Sequence, residues 1–146
     1  MPENKIHGIN LALFVPNDRT GPAPVFISGN KCGNHTIIDS EVISIFMDAW
    51  KAPVCGGRGS KKDIWELRNT ISRGYALATF HVSDMDPDKW KEEDFDDGIH
   101  GSYPSAPGDQ DTKWGSLAAW AWGIHRVVDY LEADEEIDNS RICITG

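Results

Sequence analysis

Basic residues are scarce in this chain, cysteine is scarcer, and a long apolar run is missing altogether. Lysine and arginine number 14 against 23 aspartates and glutamates, for a net charge of −9. A nucleic-acid partner needs a basic footprint, so this balance argues against one. General solubility accounts for such acidity, with an acidic rim around a site as the remaining reading. No stretch approaches the roughly 20 apolar residues of a membrane helix, so no membrane partner is expected. Met1-Pro2-Glu3-Asn4-Lys5 lacks the basic start and apolar core of a signal peptide, although a start further upstream would reopen that point. Cys32, Cys55 and Cys143 are too few and too scattered for a disulfide framework. Spacing leaves open whether Cys32 and Cys55 pair, and Cys143 is expected to be a small buried core residue. Internal repeats and low-complexity segments are lacking too.

What remains fits one domain spanning 1–146. Tryptophan is abundant, at six residues. Such rings either platform a flat ligand such as a sugar or fill a core.

Ile9 to Val15 is an apolar strand stopped by Pro16-Asn17-Asp18, and Pro24 to Ser28 is a second, β-branched one. The Gly- and Pro-rich turn from Arg19 to Pro24 would let them pair as a hairpin. Lys31 to Thr36 is a loop. Ile37 to Trp50 fits neither the helical nor the strand period, and Pro53 to Lys62 is a loop again. A helix is expected over Ile64 to Ile71, capped by Ser60 or Asp63, with Ile64, Leu67 and Ile71 on one face and Gly74 past its end. Tyr75 to Val82 is a continuous apolar run, which suits a parallel strand covered on both faces. Asp84 to Lys113 is a long polar excursion, the length of which marks it as a functional insertion loop, 84–113. From Ser116 to about Asp134, Leu117, Trp120, Ala121, Ile124, Val127, Val128 and Leu131 follow helical spacing. A last strand closes the chain at Ile142-Cys143-Ile144-Thr145-Gly146. The fold class is therefore α/β: antiparallel leading strands, then parallel βαβ units.

That last strand reads as the lead-in to a nucleophile elbow, in which a sharp strand-to-helix turn lifts a Ser onto the end of the sheet. Taken alone it reads sooner as an ordinary last strand that ends in a glycine. The loop after the second strand is where hydrolases place a backbone N–H of the oxyanion hole. Gly33, Asn34 and His35 are the candidates there, Gly33 for close backbone approach and the other two as donors or as braces of the loop. Asp84, Trp90 and Trp114 are candidates for a substrate rim, since they follow a parallel strand or sit in the insertion.

Other patterns fail on chemistry. Cys32-x-x-His35 has no second pair with matching spacing, so no metal site is expected. Asp84-Met85-Asp86-Pro87-Asp88 begins like a calcium loop, but Lys89 and Phe95 stand where Gly and Glu are required. It reads as a solvated acidic loop. Gly56-Gly57-Arg58-Gly59-Ser60-Lys61 has the wrong order for a phosphate cradle and reads as a flexible loop. His81 and His100 have no Ser or Cys partner that spacing would identify, and His125, one step from Ile124, is expected to flank the buried stripe.

Four segments together carry a resemblance: Ala23 to Ile27 with Gly33-Asn34-His35-Thr36, Arg73 to Phe80, Asp84 to Asp88, and Trp114 to Gly123. They resemble the glucuronoyl esterase family of carbohydrate esterases, especially its bacterial members, and the likeness runs in family order through Arg126, Asp129 to Glu132 and Arg141 to Gly146. The resemblance implies an α/β-hydrolase that cleaves esters of glucuronoyl groups in xylan and lignin by Ser-based acyl transfer, without a cofactor. It implies a carbohydrate ester as the substrate of the complete protein, and full-length relatives that are secreted or periplasmic. In the family pattern the Ser follows directly after Gly146, within a Ser-Arg and Gly-Lys motif, and the acid and His come later. The chain is thus expected to be an incomplete domain that enters the pattern at an early strand and holds no catalytic triad residue. The alternative is a non-catalytic α/β module that binds carbohydrate or protein.

Overall fold

Ala76–His81 has the least to offer water, and it becomes the most enclosed element of the protein. This strand, β3, has every residue buried. In the computed structural model, which describes residues 8–45, 54–87, 98–102 and 114–146, it lies inside a four-stranded mixed sheet. The other strands are β1 (Ala12–Phe14), β2 (Ala23–Asn30) and β4 (Ile137–Ile144), in the spatial order β1-β3-β2-β4. β3 runs parallel to β2, with Val25 opposite Ala76 and Asn30 opposite His81. On its other side it runs antiparallel to β1, with Ala12 opposite Thr79. β4 runs parallel to β2 and places Ile144 opposite Ile27.

Helices cover both faces, which is why an unbroken apolar strand is tolerated at the centre. α1 (Lys62–Trp65) and α2 (Leu67–Ser72) connect β2 to β3, and α4 (Ser116–Glu132) leads into β4. Strand alternation splits the core in two. Val25, Ile27, Ala76, Ala78 and Phe80 pack with Ala119, Val127 and Leu131 of α4. Leu77 turns the other way, onto Leu67 and Ile37, with Phe26, Trp65 and Ile71 beside them.

Several expectations change. The first two strands are antiparallel in direction but form no hairpin, because β3 lies between them. The connector after β1 is drawn past β3 by contacts at the start of β4: Arg19 pairs with Glu136 at 2.6 Å, and Ala23 N donates to Glu136 O. The helix expected over Ile64 to Ile71 breaks at Glu66, whose φ of 48° is left-handed. The break turns Ile64 outward to 75% exposure and brings Trp65 into the core with Leu67 and Ile71. Neither expected cap forms. Ser60 donates its hydroxyl to Cys55 O, Asp63 lies inside α1, and the cap position is Lys61. Gly74, past the end of α2, has the anticipated positive φ. Residues 37–45 of the ambiguous stretch form no helix or strand, and the rest of it lies outside the described residues.

The α4 stripe is shifted. Ala119, Gly123, Val127 and Leu131 are buried, whereas Leu117 is 76% exposed and Ala121 is exposed. Gly123 sets this register, since a Cβ there would collide with the Met85 side chain and press on Phe80. Trp122 is half-buried, with Arg126 stacked over it at 5.3 Å. Cys143 is exposed rather than buried, because β4 has a ladder partner on one side only among the described residues. The excursion contains a short helix, α3 (Gly98–Ser102).

Candidate functional site

β2 and β3 end at the same level, so the loops that follow them emerge side by side. β4 reaches this edge on the other flank of β2, where Thr145 N donates to Ile27 O at 2.8 Å. Three parallel strands thus deliver their carboxyl ends to one edge of the sheet, the usual location of sites in open α/β folds.

The loop 31–36 is built around one carbonyl. Gly33 O accepts from Asn30 Nδ2 at 3.0 Å, Thr36 Oγ1 at 2.8 Å and Thr36 N at 3.1 Å. Asn30 and Thr36 are buried, so this carbonyl is held from inside the fold. Gly33 has φ +85° and ψ 152°, a region that favours glycine. A Cβ there would also stand 3.0 Å from His35 Nδ1 and 3.3 Å from His81 Cδ2. A tight 3₁₀ turn, Asn34–Thr36, follows. Among the described residues the backbone N–H groups of Gly33, Asn34 and His35 donate to no protein acceptor, as expected for the first donors of a helical turn. The Asn34 side chain braces the loop through Nδ2, which donates to Asn10 O at 2.8 Å. Its Oδ1 is buried and without a partner among the described residues.

A second loop locks the first. Cys32 and Cys55 form a disulfide, Gly59 N donates to His35 O and Lys61 N to Thr36 O. The Cys-x-x-His pair therefore offers no thiolate for a metal. The glycine-rich segment is cross-linked rather than loose: Arg58 binds the carbonyls of Ser40 and Ile43, and Lys61 Nζ binds that of Val54. Two imidazoles sit beneath. Burial holds His35 below its ordinary pKa, helped by the charge of Arg58 and by His81. Burial likewise lowers His81, partly opposed by Asp84 and by a bond to the Lys31 carbonyl at 3.1 Å. A hydrogen bond to that carbonyl requires a proton on Nε2.

At the neighbouring rim, Asp84 accepts from Asn10 N at 2.8 Å and ties the approach of β1 to the end of β3. Asp86 is buried, so the acidic run is not solvated along its length. It meets His100, which also contacts the carbonyl of Trp114. Trp114 is half-buried against the main core, with its ring 4.5 Å from that of His100. Trp120 donates its indole N–H to Asp86 O at 2.9 Å, and Lys31 Nζ lies 5.1 Å above its ring. The fold thus brings Gly33, Asn34 and His35 together, with Asp84 and Trp114 on the adjoining rim; Trp90 lies outside the described residues. Sequence reasoning missed Lys31, Asp86 and His100. Their contacts join separate loops that share no periodicity. An open groove of about 970 Å³ at the opposite edge, lined by Pro22, Tyr75, Asp134 and Arg141 among others, contains none of these residues.

The family model for glucuronyl esterase, fungi, matches residues 51–146. The chain belongs to the glucuronyl esterase family. Carbohydrate esterase MZ0003, from an unknown prokaryotic organism, is 31% identical over 94% of this chain and 34% of its own length. A solved glucuronoyl esterase from Solibacter usitatus superposes with a TM-score of 0.76 at 29% identity, over 93% of this chain and 36% of that one. A promiscuous CE15 esterase from a marine bacterial metagenome gives 0.73 at 28%, over 94% and 36%. The mixed sheet is therefore part of an α/β-hydrolase fold. The chain spans about a third of the length of these relatives.

Proposed function

We propose that this chain forms the oxyanion side of a glucuronoyl ester hydrolase that acts on glucuronate esters of xylan and lignin alcohols. The observation that carries this reading is the loop 31–36: three successive N–H groups without protein acceptors among the described residues, at the carboxyl edge of a sheet belonging to this family. In the family pattern the Ser follows the strand that β4 matches, on the far flank of β2 from β3. Ser attack on the ester carbonyl forms a bond from Oγ to carbon and places negative charge on the carbonyl oxygen. Backbone donors on a rigid loop stabilise that charge without reorganising. The oxyanion then collapses, the alcohol leaves with a proton, and water hydrolyses the acyl-enzyme.

Asn34 serves through its main chain, since its Nδ2 is already used on Asn10 O. Its Oδ1 is an acceptor and has the wrong sign to hold an oxyanion. His35 and His81 act as packing and bracing groups, kept neutral by burial. No observation favours a binding module over this reading.

The test is turnover of an aryl ester of glucuronate. The 146-residue chain alone is expected to be inactive. The polypeptide that carries it ahead of a Ser-Arg-x-Gly-Lys motif is expected to be active, and to lose activity on Ser→Ala. Hydrolysis by the 146-residue chain alone would overturn the assignment of the nucleophile. An inactive longer polypeptide would overturn the function.

A further inference from the structure

The side chains of Asp86 and His100 are almost fully buried, at 5% and 6% exposure. His100 Nδ1 lies 2.8 Å from Asp86 Oδ1, and its Nε2 lies 2.8 Å from the carbonyl oxygen of Trp114. A carbonyl is only an acceptor, so Nε2 must carry a proton. A carboxylate is also only an acceptor, so the Nδ1 contact needs a proton of its own. A neutral imidazole carries one proton and would aim a lone pair at one of the two oxygens. Both contacts are satisfied together when the pair holds two protons, one on Nε2 and one between Nδ1 and the carboxylate. Burial makes an unsatisfied contact costly, because a group shielded from bulk solvent bears its full desolvation penalty.

The partners have a topological meaning. Asp86 stands just past β3 and Trp114 just before α4, so they are the two feet of the excursion. One imidazole from α3 bridges both. The same junction is held by Ile99 N, which donates to Met85 O at 2.7 Å, and by Gly98, whose φ of +57° and missing side chain allow the Met85 carbonyl to approach. Trp120 is fastened to Asp86 O and lies under Lys31, the first residue of the oxyanion loop.

We infer that Asp86 and His100 are positioning residues: their two-proton pair clamps the feet of the excursion around α3 and fixes the wall formed by Trp114 and Trp120 beside the loop 31–36. Its consequence for substrate rests on the esterase reading, whereas the clamp and its protons do not. Because the pair lies outside the loop that holds the oxyanion, its loss acts on ester binding and leaves the chemical step.

Nitrogen-15 NMR of the labelled protein at neutral pH reads the protons directly. Both ring nitrogens of His100 are expected to carry hydrogen or to share it with Asp86; a bare nitrogen facing either oxygen overturns the pair. In Asp86→Asn, the Ile99 amide is expected to exchange at least about tenfold faster than in Leu117→Ser, a substitution at an exposed site. Equal exchange overturns the clamp. In the active polypeptide, Asp86→Asn and His100→Gln are expected to raise KM about tenfold with kcat within about threefold. An unchanged KM, or a fall confined to kcat, overturns the positioning role. If the unmodified polypeptide turns over no ester, the esterase reading falls, and the NMR and exchange measurements still decide the clamp.

Discussion

β3 and β4 are written in similar residues and live in different surroundings. Ala76-Leu77-Ala78-Thr79-Phe80-His81 has ladders on both sides, helices over both faces and no exposed residue. Ile142-Cys143-Ile144 has the same apolar character, yet Ile144 is 56% exposed and Cys143 is exposed as well. Burial is therefore a property of neighbours rather than of residue type. The loop 31–36 attaches to this β2–β3 centre, through Asn30 at the end of β2.

The most severe way to break the contrast is to hollow out the centre. Phe80→Ala, at a fully buried ring, is expected to cost about 4 kcal/mol by urea denaturation, while Ile144→Ala at the β4 edge is expected to stay within about 0.5 kcal/mol. Equal losses would erase the distinction. Next in size is the clasp on the loop. Cys32→Ser with Cys55→Ser removes a link between residues 23 apart and is expected to lower stability by about 3 kcal/mol. Gly33→Ala follows, at about 2 kcal/mol, because its φ is unsuited to a side chain and two imidazoles crowd the space.

Acid sharpens the same comparison more gently. His35 and His81 are both held below the ordinary value of 6.5 in the folded state. Unfolded chains therefore bind the extra protons first as pH falls. The stability these groups contribute is complete above about 6.5 and declines below it, levelling off once the folded-state values are passed. A thermal melt series from pH 8 to 5 should show a falling Tm, and His81→Gln should flatten that slope. Leu117→Ser, on the exposed flank of α4, marks the floor, with a change within about 0.5 kcal/mol.

Most of the element order was legible because it rests on local signals. The period of α4, the unbroken run of β3 and the stop at Pro16-Asn17-Asp18 can each be read within a window of a few residues. What sequence reading missed depends on distant partners. The hairpin fails through Glu136, the α1–α2 break serves the burial of Trp65, and the α4 stripe is reset by Met85 against Gly123. The loop 31–36 was identifiable from its place after a strand. The clamp was not, since His100 lies 14 residues from Asp86 and 14 from Trp114, with no periodic pattern to connect them.

The central claim, that the backbone N–H groups of Asn34 and His35 in the loop 31–36 hold the oxyanion, is best tested by deleting these two one at a time. Gly33, with ψ 152°, is already suited to precede a proline, and position 34 opens a helical turn, where proline is tolerated. Asn34→Pro and His35→Pro are each compared with Asn34→Ala and His35→Ala in the polypeptide that carries the Ser. At least one proline variant is predicted to lose about 10²–10³-fold in kcat relative to its alanine counterpart, with KM little changed. Equal kcat in both pairs would contradict the account.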